Sequence, residues 1–286
     1  MSRQPDYDEL SLAQWEGVAD GWKAHAAELE ERGAGLAAGW MLDAAQLQPG
    51  QRVLELACGP AGVGLQAARA VAPEGSVLLT DFSPAMVEAA TARAAELGVA
   101  NAEFSVADAQ KLDLPDASFD TVLCRFGFML IGEPFAAMQE SARVLRPGGR
   151  LAVAVWGEPA DNVWIMLPMR ALMEHFGAPA PDLDAPGLWA FRDHDRLRGM
   201  LANAGLGGVK VETLQTTERF ESLDHAWQYL SDLAGPLQAL LASLSPEDLA
   251  AVRERVARDA QPFTGADGSL ELPASINVAV ATRPGI

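Results

Sequence analysis

Cysteine and histidine are scarce in this chain. Its 286 residues include two cysteines, Cys58 and Cys124, and four histidines. So few cysteines exclude a disulfide-stapled fold, and we expect both thiols to stay reduced. No group of histidine, cysteine and acidic residues has the spacing of metal ligands, so we predict no metal site.

Basic residues are also in deficit. Lysine and arginine number 21 against 39 aspartates and glutamates, which gives a formal net charge of −18. A field of this sign repels phosphate backbones and anionic membranes, so a nucleic acid is not an expected partner. The ordinary explanation of such a charge, solubility, stays open beside this one.

Long apolar runs are absent as well. No stretch reaches the roughly 18 uninterrupted apolar residues of a transmembrane helix. The N-terminal residues Met1–Asp6 lack the basic and apolar regions of a signal peptide. We therefore expect a cytoplasmic protein with no membrane partner, and nothing in the pattern indicates an oligomeric state.

From residue 50 onward, short β-branched runs alternate with helical stretches. This alternation is typical of a parallel sheet covered by helices on both faces, and thus of an α/β fold. The predicted strands are 52–56, 76–80, 102–106, 121–124, 150–155, 209–216 and 275–282. The predicted helices lie near 62–72, 84–97, 133–144 and 193–204, and residues 146–149 form a predicted turn before the fifth strand.

The chain divides into four segments. Residues 1–49 are alanine-rich and helical in pattern, and we interpret them as an N-terminal helical cap. Residues 50–156 form the predicted core. Residues 157–191 break the pattern with proline, tryptophan and methionine, and we interpret them as a lid. Residues 192–286 complete the core around a helical insertion at about 224–260.

The first predicted strand carries an unusual acid. In the run Val53–Gly62, an apolar strand containing Glu55 leads into small residues and then a helix. A buried carboxylate costs several kcal/mol unless it is paired, and a ligand ammonium would pair it. Small residues let a ligand approach the backbone, and the helix N-terminus favours a carboxylate. Pairing of Glu55 with Arg52 or with another basic group is the alternative.

Two further acids follow the second and third strands. Asp81 ends the second strand, where an acid can accept hydrogen bonds from ribose hydroxyls. Phe82 and Met86 follow it and offer apolar surface for a purine, although both are equally explained as core residues. Asp108 follows the third strand with Ala109, where a carboxylate could accept from an adenine amino group.

These acids at three successive strand ends resemble the class I S-adenosylmethionine-dependent methyltransferases. Five motifs carry the resemblance, and they span residues 53–59, 81–86, 106–109, 118–120 and 143–149. Within the family, the chain is most similar to the ubiquinone/menaquinone-biosynthesis C-methyltransferases and related small-molecule methyltransferases. The resemblance implies a Rossmann-like, doubly wound, mostly parallel sheet of seven strands, and S-adenosyl-L-methionine as the cofactor.

The resemblance also implies roles for individual residues. Glu55, with the backbone of Ala57 and Gly59, is expected to hold the methionine portion of the donor, and Asp81 both ribose hydroxyls. The residues expected around adenine and the methyl-bearing side are Phe82, Met86, Asp108, Ala109, Arg125 and Phe126. The chain departs from the family at Ala57 and Ala61, where glycine is common; the extra methyl groups narrow the pocket slightly and restrict the backbone.

The acceptor pocket is expected from the cap, the lid and the insertion. Trp22 matches a family position that covers the donor, although plain helix packing explains it equally well. Trp164 and Met169 offer flat and adaptable surface for a planar or isoprenoid-like acceptor, or form the core of the lid itself. His175 is a candidate general base, with a structural histidine as the alternative.

The resemblance makes the first and fourth strands neighbours. Cys58 and Cys124 should then both lie near the methionine portion of the donor, as small buried residues or as a thiol pair sensitive to oxidation.

The expected function is in-line displacement of a methyl group onto a small, largely apolar or aromatic acceptor. An enzyme that binds the same cofactor for a non-methylating reaction, or a macromolecular (protein or RNA) methyltransferase, is the alternative.

Overall fold

A computed structural model describes residues 7–285 of the chain. The N-terminal residues 1–6, on which the prediction of a missing signal peptide rests, lie outside the described range. None of the helices in that range is long and apolar enough to cross a membrane.

A single sheet of seven strands organises the fold, in the order β3-β2-β1-β4-β5-β7-β6. Strands β1 to β5 run parallel, and β7 is antiparallel to both of its neighbours, β5 and β6. The strands are β1 Arg52–Leu56, β2 Ser76–Asp81, β3 Ala102–Val106, β4 Phe119–Arg125, β5 Leu145–Trp156, β6 Gly207–Phe220 and β7 Leu270–Thr282. The predicted α/β class and mostly parallel seven-stranded sheet are confirmed.

Eleven α-helices occur among the described residues. They are α1 Tyr7–Ala24, α2 Ala26–Glu30, α3 Gly33–Ala45, α4 Gly62–Val71, α5 Pro84–Glu96, α6 Pro134–Val144, α7 Val163–Phe176, α8 His194–Asn203, α9 Leu223–Leu233, α10 Gly235–Ala242 and α11 Pro246–Asp259. The lid segment contains α7, and the insertion contains α9, α10 and α11. The division of the chain into cap, core, lid and insertion stays a prediction.

The central strands are apolar on both faces because helices cover the sheet from both sides. Val53, Leu54 and Leu56 of β1 have no exposed surface, and β5 is almost entirely buried from Leu151 to Trp156. Burial at about 25 cal/mol per Å² of apolar surface makes this double-sided core the main stabilising contribution.

Helix capping determines where α5 begins, directly after the end of β2. Ser83 has extended backbone, and its hydroxyl accepts a hydrogen bond from the Met86 N–H at 3.1 Å, while Pro84 occupies the first helical position. Serine satisfies a free N–H at the helix start, and proline has none to satisfy.

Three strand boundaries differ from the prediction by four residues or more: β5 begins at 145 and not at 150, β6 ends at 220 and not at 216, and β7 begins at 270 and not at 275. The predicted turn at 146–149 lies within the bounds of β5, where the register against β4 shifts between Phe119 and Thr121. Strand β7 begins at Leu270 rather than near Ser275, because its first residues pair with the end of β6. The proline at position 273 concealed this extension, since proline usually argues against a strand.

Candidate functional site

The candidate site lies at the carboxyl ends of β1, β2 and β4. Strand β1 pairs with β2 on one side and with β4 on the other, so the loops after these strands meet above it. In doubly wound sheets the strand order reverses at this point, and the loops on its two sides leave a crevice between them.

Glu55 is a buried carboxylate without a full set of partners. It is 1% exposed, and its Oε2 has no hydrogen-bond partner among the described residues. Burial raises the pKa of Glu55 to about 8, against the opposing effects of Arg125 and of the Gly64 backbone N–H. A side chain at position 64 would overlap Oε2, so glycine there leaves room for the carboxylate.

The alternative partner of Glu55 is engaged elsewhere. The guanidinium of Arg52 lies over the Phe119 ring, 5.2 Å from its centroid. The alternative pairing of Glu55 with Arg52 therefore has no support among the described ion pairs. Arg125, another basic group, lowers the pKa of Glu55 by its charge but pairs with Glu30. An unpaired buried carboxylate is costly, and a cationic ligand group would compensate for that cost.

The loop after β1 has left-handed backbone at three alternate residues. The φ angles are 50° at Ala57, 50° at Gly59 and 65° at Ala61. Alanine rarely adopts this conformation, which costs roughly 1–2 kcal/mol outside glycine. The loop is also packed closely from below, because a Cβ at Gly127 would lie 2.6 Å from the Ala57 Cβ. These left-handed residues turn the chain sharply between β1 and α4.

Asp81 is held by the backbone around it. Its Oδ2 accepts from the Gly59 N–H at 2.9 Å and its Oδ1 from the Ser83 N–H at 3.0 Å. Burial raises the pKa of Asp81 to about 6, and these backbone bonds oppose the shift. A carboxylate has about four lone-pair positions, so two further donors, such as two vicinal hydroxyls, can still be accepted.

Helix α1 packs against α5 beside this crevice. Met86 is buried in a cluster with Val18 and Ala19 of α1, to which Trp15 and Trp22 are added. The Trp22 ring approaches within 3.8 Å of the Cβ position at Gly59. Its Nε1 donates to the Leu233 carbonyl at 2.8 Å, which ties the cap to α9. Trp22 thus both packs within α1 and its neighbours and lies near residues 57–61 after β1, the segment we call the donor loop. Phe82, directly after β2, is half-buried.

Asp108 follows β3, the strand that pairs with β2 on the side away from β1. The Ala107 N–H donates to the Asp81 carbonyl at 2.9 Å, which joins the ends of β2 and β3. The exposed carboxylate of Asp108 accepts from the Gln110 N–H at 2.8 Å and from the Gln110 Nε2 at 3.1 Å. Ala109 is half-buried next to it.

Arg125 extends from the end of β4 toward the first turn of α4. Its Nη2 lies 2.9 Å from the Glu30 Oε1, and its Nη1 donates to the Ala34 carbonyl at 2.9 Å. A side chain at Gly62 would overlap both Glu30 and Arg125. Glu30 was not predicted, because it is one of several acids in the N-terminal helices.

This arrangement fits S-adenosylmethionine. The unpaired Glu55 carboxylate suits an ammonium, and Asp81 suits a pair of hydroxyls.

Comparison with known proteins supports this assignment. A family model described as a methyltransferase domain matches residues 47–171. The ubiquinone/menaquinone biosynthesis C-methyltransferase UbiE of Pseudomonas putida is 30% identical over 178 residues, which are 59% of this chain and 70% of that protein. The chain belongs to the S-adenosylmethionine-dependent methyltransferases.

Solved structures share the fold of this methyltransferase. A Haemonchus contortus phosphoethanolamine N-methyltransferase, in complex with phosphomonomethylethanolamine and S-adenosylhomocysteine, has a TM-score of 0.60 at 16% identity, over 98% of this chain and 61% of that one. The [4+2]-cyclase SpnF has a TM-score of 0.52 at 22% identity, over 88% of this chain and 82% of that one.

A row of aromatic rings leads away from the donor loop of the methyltransferase. Phe126, with a left-handed φ of 59°, stacks on Trp156 at a centroid distance of 4.3 Å. Trp156 meets the edge of Trp164 at 5.5 Å, and Trp164 lies 6.3 Å from Tyr229 of α9. Trp156 and Tyr229 were not predicted. Trp156 ends a predicted strand, so the strand-end rule that found Asp81 could have found it.

The other predicted acceptor residues lie elsewhere on the lid. Met169 is half-buried and packs against the core of the sheet. His175 lies near the end of α7, where its Nε2 is 2.8 Å from the Asp248 Oδ1 of α11 and its ring meets Phe176 at 4.7 Å. These contacts of His175 are within the lid and insertion, not with the strand ends.

The two cysteines are buried and free. Cys124 belongs to β4, which pairs with β1, so the predicted neighbourhood of the two strands is confirmed. Burial raises the pKa of the Cys58 and Cys124 thiols, which disfavours the reactive thiolate. Within residues 7–285, no cluster of three potential metal ligands occurs.

Proposed function

We propose that this methyltransferase transfers a methyl group to a small, largely apolar or aromatic acceptor. The observation that carries the proposal is the row of aromatic rings Phe126, Trp156 and Trp164, which begins beside the donor loop. Aromatic faces suit a planar or apolar molecule, since stacked and edge-on pairs contribute about 0.5–1.5 kcal/mol beyond burial.

The donor-binding residues are those at the strand ends. Glu55 pairs with the donor ammonium, and the backbone of Ala57 and Gly59 approaches its methionine portion. Asp81 accepts from the ribose hydroxyls. Phe82, Met86, Asp108 and Ala109 surround the adenine, and Trp22 closes the crevice from the cap.

Arg125 contributes to donor binding through the effect of its charge on Glu55, and not through contact with the donor. It lowers the pKa of Glu55 and so favours the ionised carboxylate that an ammonium requires. Its pairing with Glu30 keeps the guanidinium at the first turn of α4.

The bound donor supplies a methyl group on a sulfonium, which is a very good leaving group. The chain therefore needs mainly to hold the acceptor in line and to exclude water. Phe126 and Trp164 provide an apolar wall for this purpose. A hydroxyl or carbon acceptor must also lose a proton; His175 is held by Asp248 away from the strand ends, and we do not propose it as the base.

A small acceptor is also favoured by charge. The net charge of −18 repels phosphate backbones, so RNA is a poor candidate acceptor. We further propose that the protein acts in the cytoplasm.

The test uses metabolite extract and S-adenosylmethionine carrying a labelled methyl group. We expect label in a small organic-soluble product, with turnover reduced in Trp164→Ala and Met169→Ala while S-adenosylhomocysteine affinity is nearly unchanged. Label in protein or RNA would contradict the proposal. Equal losses of donor binding in both variants would show that these residues are only the core of the lid.

A further inference from the structure

The imidazole of His25, in the turn between α1 and α2, lies between two carboxylates. Its Nδ1 is 2.9 Å from the Glu28 Oε2 of α2, and its Nε2 is 2.9 Å from the Asp232 Oδ2 of α9. A neutral imidazole carries one N–H and donates to only one of these oxygens, whereas an imidazolium donates to both. The two hydrogen bonds are therefore complete only in the protonated form of His25.

Other ionisable groups surround this contact. They are Arg32 of α2, His225 and Tyr229 of α9, and Glu218 of β6. Arg32 and His225 both contact Glu28. Among the described ion pairs, Asp232 contacts His25 alone. Protonation of His25 is therefore what neutralises Asp232 at the junction of α2 and α9.

The two carboxylates also shift the titration of His25. Partial burial lowers its pKa, but the hydrogen bonds to Asp232 and Glu28 and the two negative charges raise the pKa by more, to above the ordinary value of 6.5. The folded protein thus binds this proton more tightly than the unfolded chain does. The stabilisation is fully present below the unfolded pKa and is lost as pH rises through the folded pKa.

Trp22 is held against the same stretch of α9. Its Nε1 donates to the carbonyl of Leu233, the residue after Asp232, at 2.8 Å, and its ring lies beside the donor loop. The two backbones approach closely here, because a Cβ at Gly21 would overlap the Asp232 carbonyl oxygen. The bond from His25 to Asp232 therefore fixes the segment that places Trp22 beside the donor loop.

We propose that His25 is a positioning residue for donor retention: its imidazolium ties α2 to α9 and holds Trp22 beside the donor loop, and loss of the proton loosens this contact and speeds release of the donor. The donor is thus retained longer at slightly acidic than at alkaline pH. The inference rests on the proposed closure of the crevice by Trp22 and adds to it the group that controls this closure.

The test measures how fast S-adenosylmethionine with a labelled methyl group leaves the purified protein during a chase with excess S-adenosylhomocysteine. His25→Gln keeps an N–H donor but has no titrating proton. We expect it to release the label about tenfold faster than wild type at pH 6, through loss of one charge-assisted hydrogen bond, and at nearly the same rate at pH 9. The ratio of the two rates at each pH removes the effects of Glu55 and Asp81, which titrate in both proteins.

A second variant and a matched control accompany this measurement. Asp232→Asn removes one carboxylate and leaves Glu28 in place, so its rate relative to wild type should fall between pH 6 and pH 9 in the same way. His175→Gln is the control, because the His175 Nε2 lies 2.8 Å from the Asp248 Oδ1 in a similar contact between α7 and α11. Its release rate should follow wild type at both pH values.

Trp22→Ala separates failure of the inference from failure of the proposed closure. An unchanged release rate in Trp22→Ala refutes the closure itself. Faster release in Trp22→Ala, together with a His25→Gln ratio that is the same at pH 6 and pH 9, refutes the role of His25, since a merely structural contact has no pH dependence of this kind. The role is also refuted if His175→Gln reproduces the fall of the ratio with pH.

Discussion

Replacement of Glu55 by glutamine is expected to raise the stability of the protein and to weaken its binding of the donor. The pKa of Glu55 is raised to about 8 by burial, against an ordinary value of 4.5. The folded protein thus binds this proton more tightly than the unfolded chain does. Stability is therefore lost as pH rises through the interval between the two values.

The size of this effect follows from the two pKa values. One pKa unit corresponds to about 1.4 kcal/mol, so ionisation of Glu55 destabilises the free protein by about 1 kcal/mol at pH 5 and nearly 5 kcal/mol at pH 9. Glu55→Gln removes the titration. We expect its advantage over wild type in free energy of unfolding to widen by about 4 kcal/mol between these pH values.

The same variant should lose donor binding. At pH 7 most Glu55 side chains of the free protein are protonated, so pairing with a ligand ammonium releases nearly one proton. Calorimetry of S-adenosylhomocysteine in two buffers of different ionisation enthalpy measures that release, and urea denaturation at several pH values measures stability. Glu55→Gln should show weaker binding and no proton release from this site.

A second buried carboxylate provides the matched control. Glu218 is 3% exposed, and its Oε1 accepts from the Gly33 N–H at 3.2 Å, away from the donor loop. Glu218→Gln should leave the proton release unchanged. The reasoning fails if Glu55→Gln shows a stability difference that does not vary with pH, or if it binds S-adenosylhomocysteine as tightly as wild type.

Three further predictions concern the loops around Glu55. Asp81→Ala should weaken S-adenosylhomocysteine binding by about 2–4 kcal/mol through loss of two charge-assisted hydrogen bonds, and wild-type affinity by calorimetry would exclude Asp81 from the donor site. Ala57→Gly should raise the free energy of unfolding by about 1 kcal/mol, because glycine adopts a positive φ without strain; a lower melting temperature would contradict this. Arg125→Met should shift the pH at which donor affinity reaches its plateau upward, because the charge that lowers the pKa of Glu55 is removed; an unchanged midpoint in calorimetric titrations would refute that coupling.

The strand ends were predictable from sequence, and their partners were not. Glu55 and Asp81 stand in or directly after apolar runs, and parallel strands bring such positions together whatever covers them. Glu30 and Glu16 come from alanine-rich helices that contain several acids. Which acid reaches Arg125 or Ser83 depends on how the cap docks, and helical periodicity does not specify that.

The lid shows a similar limit. Pro168 lies inside α7, and proline disfavours a helix interior, so the segment looked irregular from its sequence. Pairing of Trp164 with Tyr229 joins residues 65 positions apart along the chain. Contacts of this kind arise from tertiary packing and leave no local pattern.

The pairing at the end of the β6–β7 ladder has a consequence for how such enzymes diversify. Phe220 and Leu270 face each other in register, so the chain leaves the sheet and re-enters it at adjacent points. Paired strand residues lie about 5 Å apart, and closure entropy rises only slowly with the length of the intervening segment. The segment 221–269 is thus attached to the sheet through one pair of facing residues, Phe220 and Leu270. Replacement of this segment by a shorter or longer one would change the helices α9 to α11, which pack beside Trp164, the residue proposed to contact the acceptor. The strands that carry Glu55 and Asp81 would keep their sequence.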